Sequence, residues 1–143
     1  MKKIVISDDI KQMNLLDDMI VNPKECESAD ISSWRMYIDG ASRSNPGKAG
    51  AGFCLYKGGK VIIEQGFFIG EKTNNQAEYF ALLLGLFCAQ EYINSKDSLL
   101  IFSDSQLLVR QMTGVYKIRD SFLQKFKAMA NQLFFADKTT FCH

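Results

Sequence analysis

Three consecutive strand-like segments in the first half of the chain constrain the fold more than any other sequence feature. The first runs from Trp34 to Asp39 with alternating apolar and polar residues, and it ends on Asp39-Gly40, a turn signal. The second and third, residues 49–56 and 60–69, flank Lys57-Gly58-Gly59, which is typical of a tight hairpin turn. The pattern predicts three antiparallel strands.

Helical periodicity replaces the strand pattern after the third strand. Apolar spacing predicts a long helix that follows Thr73-Asn74-Asn75 and reaches about Asn94, and shorter helices over residues 105–112 and 121–135. Short strands are predicted over residues 98–103 and 138–142. Strands followed by alternating helices and strands are typical of an α/β fold with helices packed on a mixed sheet. We therefore predict a five-stranded mixed sheet, with three antiparallel strands and then parallel strands.

The first 33 residues differ from the rest of the chain in charge. They hold seven acidic residues and four lysines, whereas the remainder holds 13 basic and nine acidic residues. Apolar residues recur at helical spacing in this segment, at Ile10, Met13, Leu16 and Ile20. Pro23 should end such a helix. We predict an acidic extension with a short helix over residues 1–33 and a globular domain over residues 34–143.

The overall composition excludes several classes of protein. A net charge of +1 does not suit a polybasic coat, so contacts with a polyanion must come from local patches, metal ions or backbone amides. No apolar run reaches the length of a membrane span. The four cysteines are scattered and lack the close pairs of a zinc site or a disulfide framework. These features predict a soluble, cytoplasmic protein in a reducing compartment, without a disulfide framework or a membrane partner.

Three acidic residues lie where predicted elements meet. Asp39 ends the first strand, Glu78 lies in the first turn of the long helix, and Asp104 follows a later strand. If the first and fourth strands are parallel neighbours, their ends bring Asp39 and Asp104 together beneath Glu78. Three converging carboxylates repel one another unless a hard cation neutralises them, and oxygen ligands of this kind select Mg²⁺ or Mn²⁺.

Each acidic residue also has a purely structural interpretation. Asp39-Gly40 alone is more often a turn. The segment Asn75 to Glu78 is an acceptable capping box, in which Glu78 would reach back to the cap. Asp104 could cap the following helix. Taken singly, none of the three acids establishes a metal site.

The longer strings around these acids resemble the three motifs of type 1 ribonuclease H. The first is Tyr37-Ile-Asp-Gly-Ala-Ser-Arg-Ser-Asn-Pro-Gly47, the second Thr73-Asn-Asn-Gln-Ala-Glu-Tyr79, and the third Phe102-Ser-Asp-Ser-Gln106. They occur in the family's order, and the likeness runs from about Trp34 to His143. The short segment between Met112 and Ser121 is similar to that of the compact archaeal-type branch. The resemblance implies a ribonuclease H-like fold and hydrolysis of the RNA strand of RNA–DNA hybrids.

The resemblance also implies roles for individual residues. Asp39 matches the aspartate that bridges two Mg²⁺ ions, and Glu78 and Asp104 match the acids that complete the second ion's shell. One ion would activate water and the other would stabilise the departing oxygen.

A second group of residues matches the family's substrate contacts. Asn45, Asn74 and Gln106 match readers of ribose 2′-hydroxyls in the hybrid's minor groove, and Thr73 matches part of a phosphate pocket for the DNA strand. Without the resemblance, these residues are equally well explained as turn, cap and surface residues. Four basic residues could contact phosphates, although a solvated helix face is the preferred interpretation: Lys117, Arg119, Lys125 and Lys127. His143 is interpreted as a strand-end residue.

The chain departs from the family pattern at its C-terminal end. The pattern continues into a last helix that carries a fourth aspartate, so the domain is expected to be C-terminally incomplete, with that helix missing. One consequence would be an uncovered apolar sheet face that favours self-association. Alternatively, the segment Asp8 to Ile20 could dock there. The competing function is a weakly active or non-catalytic hybrid-binding module that lacks the fourth carboxylate.

Overall fold

The computed structural model of the protein describes residues 33–133 and 139–143. The helix that the sequence predicts over residues 8–20 lies outside the described residues. In chain order, the described elements are β1 (Trp34–Ser42), β2 (Gly47–Lys57), β3 (Lys60–Lys72), α1 (Asn74–Ala89), β4 (Leu99–Ser103), α2 (Gln106–Met112), α3 (Ser121–Leu133) and β5 (Thr139–Cys142).

The strands form one five-stranded mixed sheet in the order β3-β2-β1-β4-β5. Antiparallel pairing joins β1 to β2 and β2 to β3, whereas β1 pairs with β4, and β4 with β5, in parallel. The β2–β3 hairpin closes through Gly58 and Gly59, whose φ angles of 57° and 76° suit the tight turn that their sequence predicts. The predicted topology is confirmed, including the parallel neighbours β1 and β4.

The two faces of the sheet are packed differently. On the inner face, residues such as Met36, Phe53 and Ile101 pack with Leu82 and Leu86 of α1 in the main core. The other face carries a smaller group, which we call the outer-face cluster: Leu100, Phe102 and Cys142 with the partly buried Tyr37. Strand alternation explains the division, because successive side chains point to opposite faces.

The first strand is longer than the sequence predicts. Asp39 pairs with Gly52 and Gly40 pairs with Ala51 of β2, so β1 continues to Ser42. The interpretation of Asp39-Gly40 as a turn is therefore wrong. A local turn signal is overridden here because the neighbouring strand offers a continuous set of hydrogen-bonding partners.

Gly40 permits a close contact between β1 and α1. A Cβ atom on this residue would lie 2.2 Å from the carbonyl carbon of Ala77 and 2.5 Å from the backbone nitrogen of Glu78. Both neighbours are backbone atoms, which cannot move aside as a flexible side chain can. The missing side chain at Gly40 thus lets the helix backbone rest directly on the strand beside Asp39.

Replacing Gly40 with alanine should destabilise the domain strongly. The added methyl group must push α1 away from β1, and overpacking of this kind costs about 1–3 kcal/mol or more. Urea unfolding measures the loss. Gly70→Ala is the control, because Gly70 has a φ of 76° but nothing within 4 Å of an added Cβ. The control should lose only about 1–2 kcal/mol from backbone strain; equal losses in both variants would contradict the contact argument.

The long helix is shorter than its apolar pattern predicts. It ends at Ala89 rather than near Asn94. Beyond Gln90 the chain turns more tightly, and the Asp97 carboxylate accepts hydrogen bonds from the Asn94 backbone (3.0 Å) and from the Trp34 indole (3.2 Å). Because these contacts tie the segment after α1 to the start of β1, the apolar residues there pack outside a helix.

The cysteines also depart from the sequence prediction. Cys54 and Cys88 are free, but Cys142 is in a disulfide bond. The lack of closely spaced cysteines therefore did not exclude a disulfide, since folding can bring together residues that are distant in the sequence. Within the described ranges, no helix has both the length and the apolar character needed to cross a membrane.

Candidate metal centre

Two neighbouring parallel strands position the two aspartates. Ile38 of β1 pairs with Ser103 of β4, so the residues that follow them, Asp39 and Asp104, lie side by side. Asp104 is at the end of β4 and exposed to solvent, whereas Asp39 is partly buried within β1. The parallel register therefore brings these two acids to the same edge of the molecule.

Helix α1 adds the third acid. Glu78 lies just beyond the first turn of α1, over the point where Gly40 admits the helix backbone. Asp39, Glu78 and Asp104 each offer a carboxylate oxygen, and these three oxygens all lie within 4.8 Å of one another. The predicted convergence of the three acids is confirmed.

The structural interpretations of these acids are not realised. Thr73 caps α1: its hydroxyl accepts a hydrogen bond from the Gln76 backbone, and the Gln76 side chain accepts one from the Thr73 backbone. Ser105, not Asp104, caps α2 by accepting a hydrogen bond from the Leu108 backbone. Because neither helix start uses its neighbouring acid as a cap, Glu78 and Asp104 remain available as ligands.

Glu78 is in an unfavourable electrostatic position without a cation. Its Oε2 atom is buried and has no hydrogen-bond partner in the described part of the chain. Burial, together with the charges of Asp39 and Asp104, raises the pKa of Glu78 to about 9, although a hydrogen bond with the Gly40 backbone acts in the opposite direction. A divalent cation would supply the missing partner and offset the repulsion. The residues present therefore fit a hard metal ion.

Three of the four predicted substrate residues lie together beside the N-terminus of α1. The Asn45 side-chain oxygen accepts a hydrogen bond from the Asn74 backbone (3.1 Å), and the Asn74 side-chain oxygen accepts one from the Ser42 backbone (2.8 Å). Thr73 caps the same helix. Gln106 begins α2, two residues after Asp104. The asparagines thus have a structural task, joining the β1–β2 loop to α1, through their side-chain oxygens.

A cleft of about 430 Å³ opens at this end of α1. Thr73 and Asn45 line it on one side, and Lys117 and Arg119 line it from the segment between α2 and α3. The placement of these two basic residues on a helix face was therefore wrong. Asp120 also lines the cleft, and its carboxylate accepts hydrogen bonds from the Phe122 and Leu123 backbones. The two cationic side chains leave the cleft with a net positive charge, which with the threonine hydroxyl suits an anion such as phosphate.

Gln111 at the cleft was missed by the sequence reasoning. It is a buried polar residue that lines the cleft, and its side-chain oxygen accepts a hydrogen bond from the Tyr79 hydroxyl at 2.9 Å. Lys127 donates to its backbone oxygen at 2.8 Å. No sequence signal marked Gln111, because its partners Tyr79 and Lys127 come from two other helices.

His143 also lies closer to the acidic cluster than its position in the sequence suggests. It directly follows β5, as predicted, and its Nε2 atom is 3.1 Å from the backbone oxygen of Asp104. The parallel pairing of Phe102 with Cys142 explains this contact, since the residues beyond them continue side by side. Parallel alignment of the last two predicted strands would have been enough to find it.

Comparison with known proteins places this geometry in a family. The family model described as RNase H matches residues 32–141. The chain is 42% identical over 98 residues, or 68% of its length, to Ribonuclease HI of Halobacterium salinarum. It is 34% identical over 84 residues to Ribonuclease H of Desulforamulus reducens. The chain spans about half the length of these two relatives, 48% and 49%.

Solved structures agree with the sequence comparison. LC11-RNase H1, solved in complex with an RNA/DNA hybrid, superposes with a TM-score of 0.74 at 34% identity, covering 78% of this chain and 84% of that one. RNase H1 from Halobacterium salinarum gives a TM-score of 0.71 at 37% identity, with the same coverage. The chain has a ribonuclease H-like fold and belongs to the ribonuclease H family.

Proposed function

We propose that this chain is an endonuclease that hydrolyses the RNA strand of RNA–DNA hybrids, using divalent metal ions held by Asp39, Glu78 and Asp104. The observation that carries the proposal is the convergence of these three carboxylates within 4.8 Å in a member of the ribonuclease H family. The buried, unpartnered Oε2 atom of Glu78 supports it, because a folded protein rarely retains such an atom without a functional reason.

The proposed ion is Mg²⁺, with Mn²⁺ as a substitute, because both prefer oxygen ligands. When bound, such ions supply Lewis-acid stabilisation of the phosphodiester and activation of water. The β1–α1 contact at Gly40 fixes the relative position of the backbones that carry Asp39 and Glu78. Asp104 is the exposed member of the group, so it lies on the side from which a phosphate would approach.

The hybrid is proposed to lie across the N-termini of α1 and α2. Asn45, Asn74 and Gln106 would then face the minor groove, where side-chain amides can donate to and accept from ribose 2′-hydroxyls. The crystal structure of LC11-RNase H1 with an RNA/DNA hybrid supports this substrate class, because that protein shares the fold at 34% identity. The 2′-hydroxyl is the group that separates an RNA strand from DNA.

The cleft at the start of α1 is proposed to hold a phosphate of the DNA strand. Thr73 lines the cleft, and its hydroxyl oxygen accepts a hydrogen bond from the Gln76 backbone. In this role the hydroxyl group can still donate its own proton to a phosphate oxygen. Lys117 and Arg119 add two positive charges. A backbone phosphate held here would fix the register of the hybrid relative to the three carboxylates.

Removing one of the two positive charges at this cleft should weaken hybrid binding. Arg119→Ala should raise the dissociation constant roughly five- to ten-fold and lower the slope of log K against log salt by about one, since one phosphate contact is lost. Electrophoretic mobility shift at several salt concentrations measures both. Lys125→Ala is the matched control, because Lys125 is exposed on α3 and does not line the cleft. Equal effects of the two substitutions would contradict a specific phosphate contact.

The proposed activity is tested with a strand-labelled RNA–DNA hybrid. Incubation with Mg²⁺ should cut the RNA strand and leave the DNA strand intact, while double-stranded RNA and double-stranded DNA stay uncut. Chelation with EDTA should stop the reaction. Cleavage of the DNA strand, or metal-independent cleavage, would contradict the proposal.

A non-catalytic or weakly active hybrid-binding module is the second candidate. It is favoured by the number of acids: among the described residues, the group that could hold a metal ion consists of three carboxylates. The same assay separates the candidates, because a binding module retains the hybrid in a mobility shift without cutting it. Binding at micromolar protein with no product after prolonged incubation would establish this second function.

We propose further that residues 34–143 form the hydrolase domain, that residues 1–33 are an extension to it, and that the protein acts in the cytoplasm. The free thiols of Cys54 and Cys88 support a reducing compartment, whereas the disulfide at Cys142 argues against one. Alkylation during denaturing lysis of the cells, when buried thiols also react, distinguishes a reducing from an oxidising compartment. Mass spectrometry of a cytoplasmic protein should then show mainly alkylated Cys142.

A further inference from the structure

The outer-face cluster is more deeply buried than its described neighbours explain. Leu100, Phe102 and Cys142 are only 7%, 4% and 5% exposed. Among the described residues, the sole apolar side chain packed against them is the partly buried Tyr37. Four side chains on one face of a sheet stand side by side, because neighbouring strands lie about 4.8 Å apart. Their outward-facing ends therefore stay open to solvent unless another segment packs over them. The cluster therefore needs a cover from another segment.

The disulfide of Cys142 indicates which segment this is. Cys142 lies in the same cross-strand row as Tyr37 and Phe102, at the end of the row on the edge strand β5. The sequence has four cysteines, and two of them, Cys54 and Cys88, are free. We propose that Cys26 is the disulfide partner of Cys142, and that the acidic extension, through residues 8–26, covers the outer-face cluster.

The chain length between Cys26 and β1 permits this arrangement. From the start of β1, Cys142 is two strands away sideways, about 10 Å, and three residues along the strand, again about 10 Å. The direct distance is thus on the order of 14 Å. Eight residue steps from Cys26 to Trp34 span up to about 27 Å when extended. The link closes without strain on the connecting segment.

The chemistry of the extension matches that of the face. Ile10, Met13, Leu16 and Ile20 recur at the spacing of one helix face, which suits an apolar cluster of this size. Arg35, which alternation places on the same face as Tyr37, pairs in register with Leu100. The extension's excess of acidic residues complements this positive charge. The cover would thus be held by apolar contact, charge and one covalent bond.

The disulfide is tested on the full-length, unreduced protein. Trypsin cleaves after Lys24, Arg35 and Lys138, so the proposed link joins peptide 25–35 to peptide 139–143. Mass spectrometry should find this pair, and dithiothreitol should separate it, as each sulfur gains a hydrogen and the reagent closes to its cyclic disulfide. A link from Cys142 to Cys54, to Cys88 or to a second chain would overturn the proposal.

The cover itself is tested after reduction, when Cys142 carries a free thiol. Leu16→Asp should raise the rate of Cys142 alkylation by iodoacetamide roughly ten-fold or more, because the charge opens the cover. Leu15→Asp makes the same substitution at a position that is not three or four residues from any of the four apolar residues, and it should leave the rate within about two-fold of the unsubstituted protein.

Three outcomes would overturn the proposed cover. The first is an equal alkylation rate in Leu16→Asp, Leu15→Asp and unsubstituted protein. The second is exposure of Cys142 by Phe135→Asp but not by Leu16→Asp, which would assign the cover to residues 134–138. The third is a concentration-dependent alkylation rate in unsubstituted protein, which would assign the cover to a second copy of the chain.

Discussion

Replacing Asp39 with asparagine should lower the rate of hybrid cleavage by at least about a thousand-fold, the scale expected when one member of a cooperating catalytic group is lost. Asp39 is one of the three converging acids, so asparagine removes a charge and a ligand oxygen from the proposed site. The single-turnover rate on a labelled hybrid with saturating Mg²⁺ measures the loss.

Hybrid binding should survive the same substitution. In EDTA, Asp39→Asn should bind the hybrid at least as tightly as the unsubstituted protein, because one negative charge facing the phosphates has been removed. Glu91→Gln is the control for charge removal, since Glu91 is exposed beyond the end of α1. Substantial cleavage by Asp39→Asn would contradict the proposed metal centre, whereas loss of binding and of cleavage together would indicate misfolding.

Replacing Glu78 with glutamine should have opposite effects on stability with and without metal. In EDTA at pH 8 we expect the free energy of unfolding to rise by about 1–3 kcal/mol, because the buried Glu78 must take up a proton on folding at this pH and the neutral amide need not. With Mg²⁺ the order should reverse, because only the unsubstituted protein gains stability from metal binding. Urea unfolding followed by circular dichroism measures both.

The raised pKa of Glu78 also sets the direction in which stability changes with pH. The pKa of Glu78 is raised from 4.5 to about 9 in the folded protein, so between these values the folded state holds a proton that the unfolded chain has released. Stability of the metal-free protein should therefore fall as pH rises through this window. Glutamine does not titrate, so its advantage should grow from pH 5 to pH 8.5 and vanish below pH 4.5. Glu71→Gln, at an exposed position, should show no such trend.

The topology could be predicted from the sequence because each strand and helix has a recognisable pattern within its own residues. Alternation along β1, the Gly58-Gly59 turn and the apolar spacing of α1 are short-range patterns, and the mixed sheet follows from their order. The convergence of Asp39 and Asp104 followed from one further step, the parallel pairing of β1 with β4.

The errors lie where contacts between distant segments override a local pattern. Asp39-Gly40 has the sequence of a turn, but pairing with β2 keeps it in a strand. The segment Asn75 to Glu78 has the sequence of a capping box, but the observed box is formed by Thr73 and Gln76. Gln111 depends on a hydrogen bond from Tyr79, which is 32 residues away in the sequence. Patterns within a few residues cannot contain this information.

The contact at Gly40 has a consequence for the ionic radii that the proposed site accepts. Asp39 and Glu78 are attached to backbones in direct contact, so the separation of their Cα atoms cannot easily widen. Asp104, by contrast, is exposed and follows the end of its strand. Mg²⁺ takes oxygen ligands at about 2.0–2.1 Å and Ca²⁺ at about 2.3–2.6 Å. Exchange of the smaller ion for the larger one should therefore displace Asp104 and leave the other two acids in place.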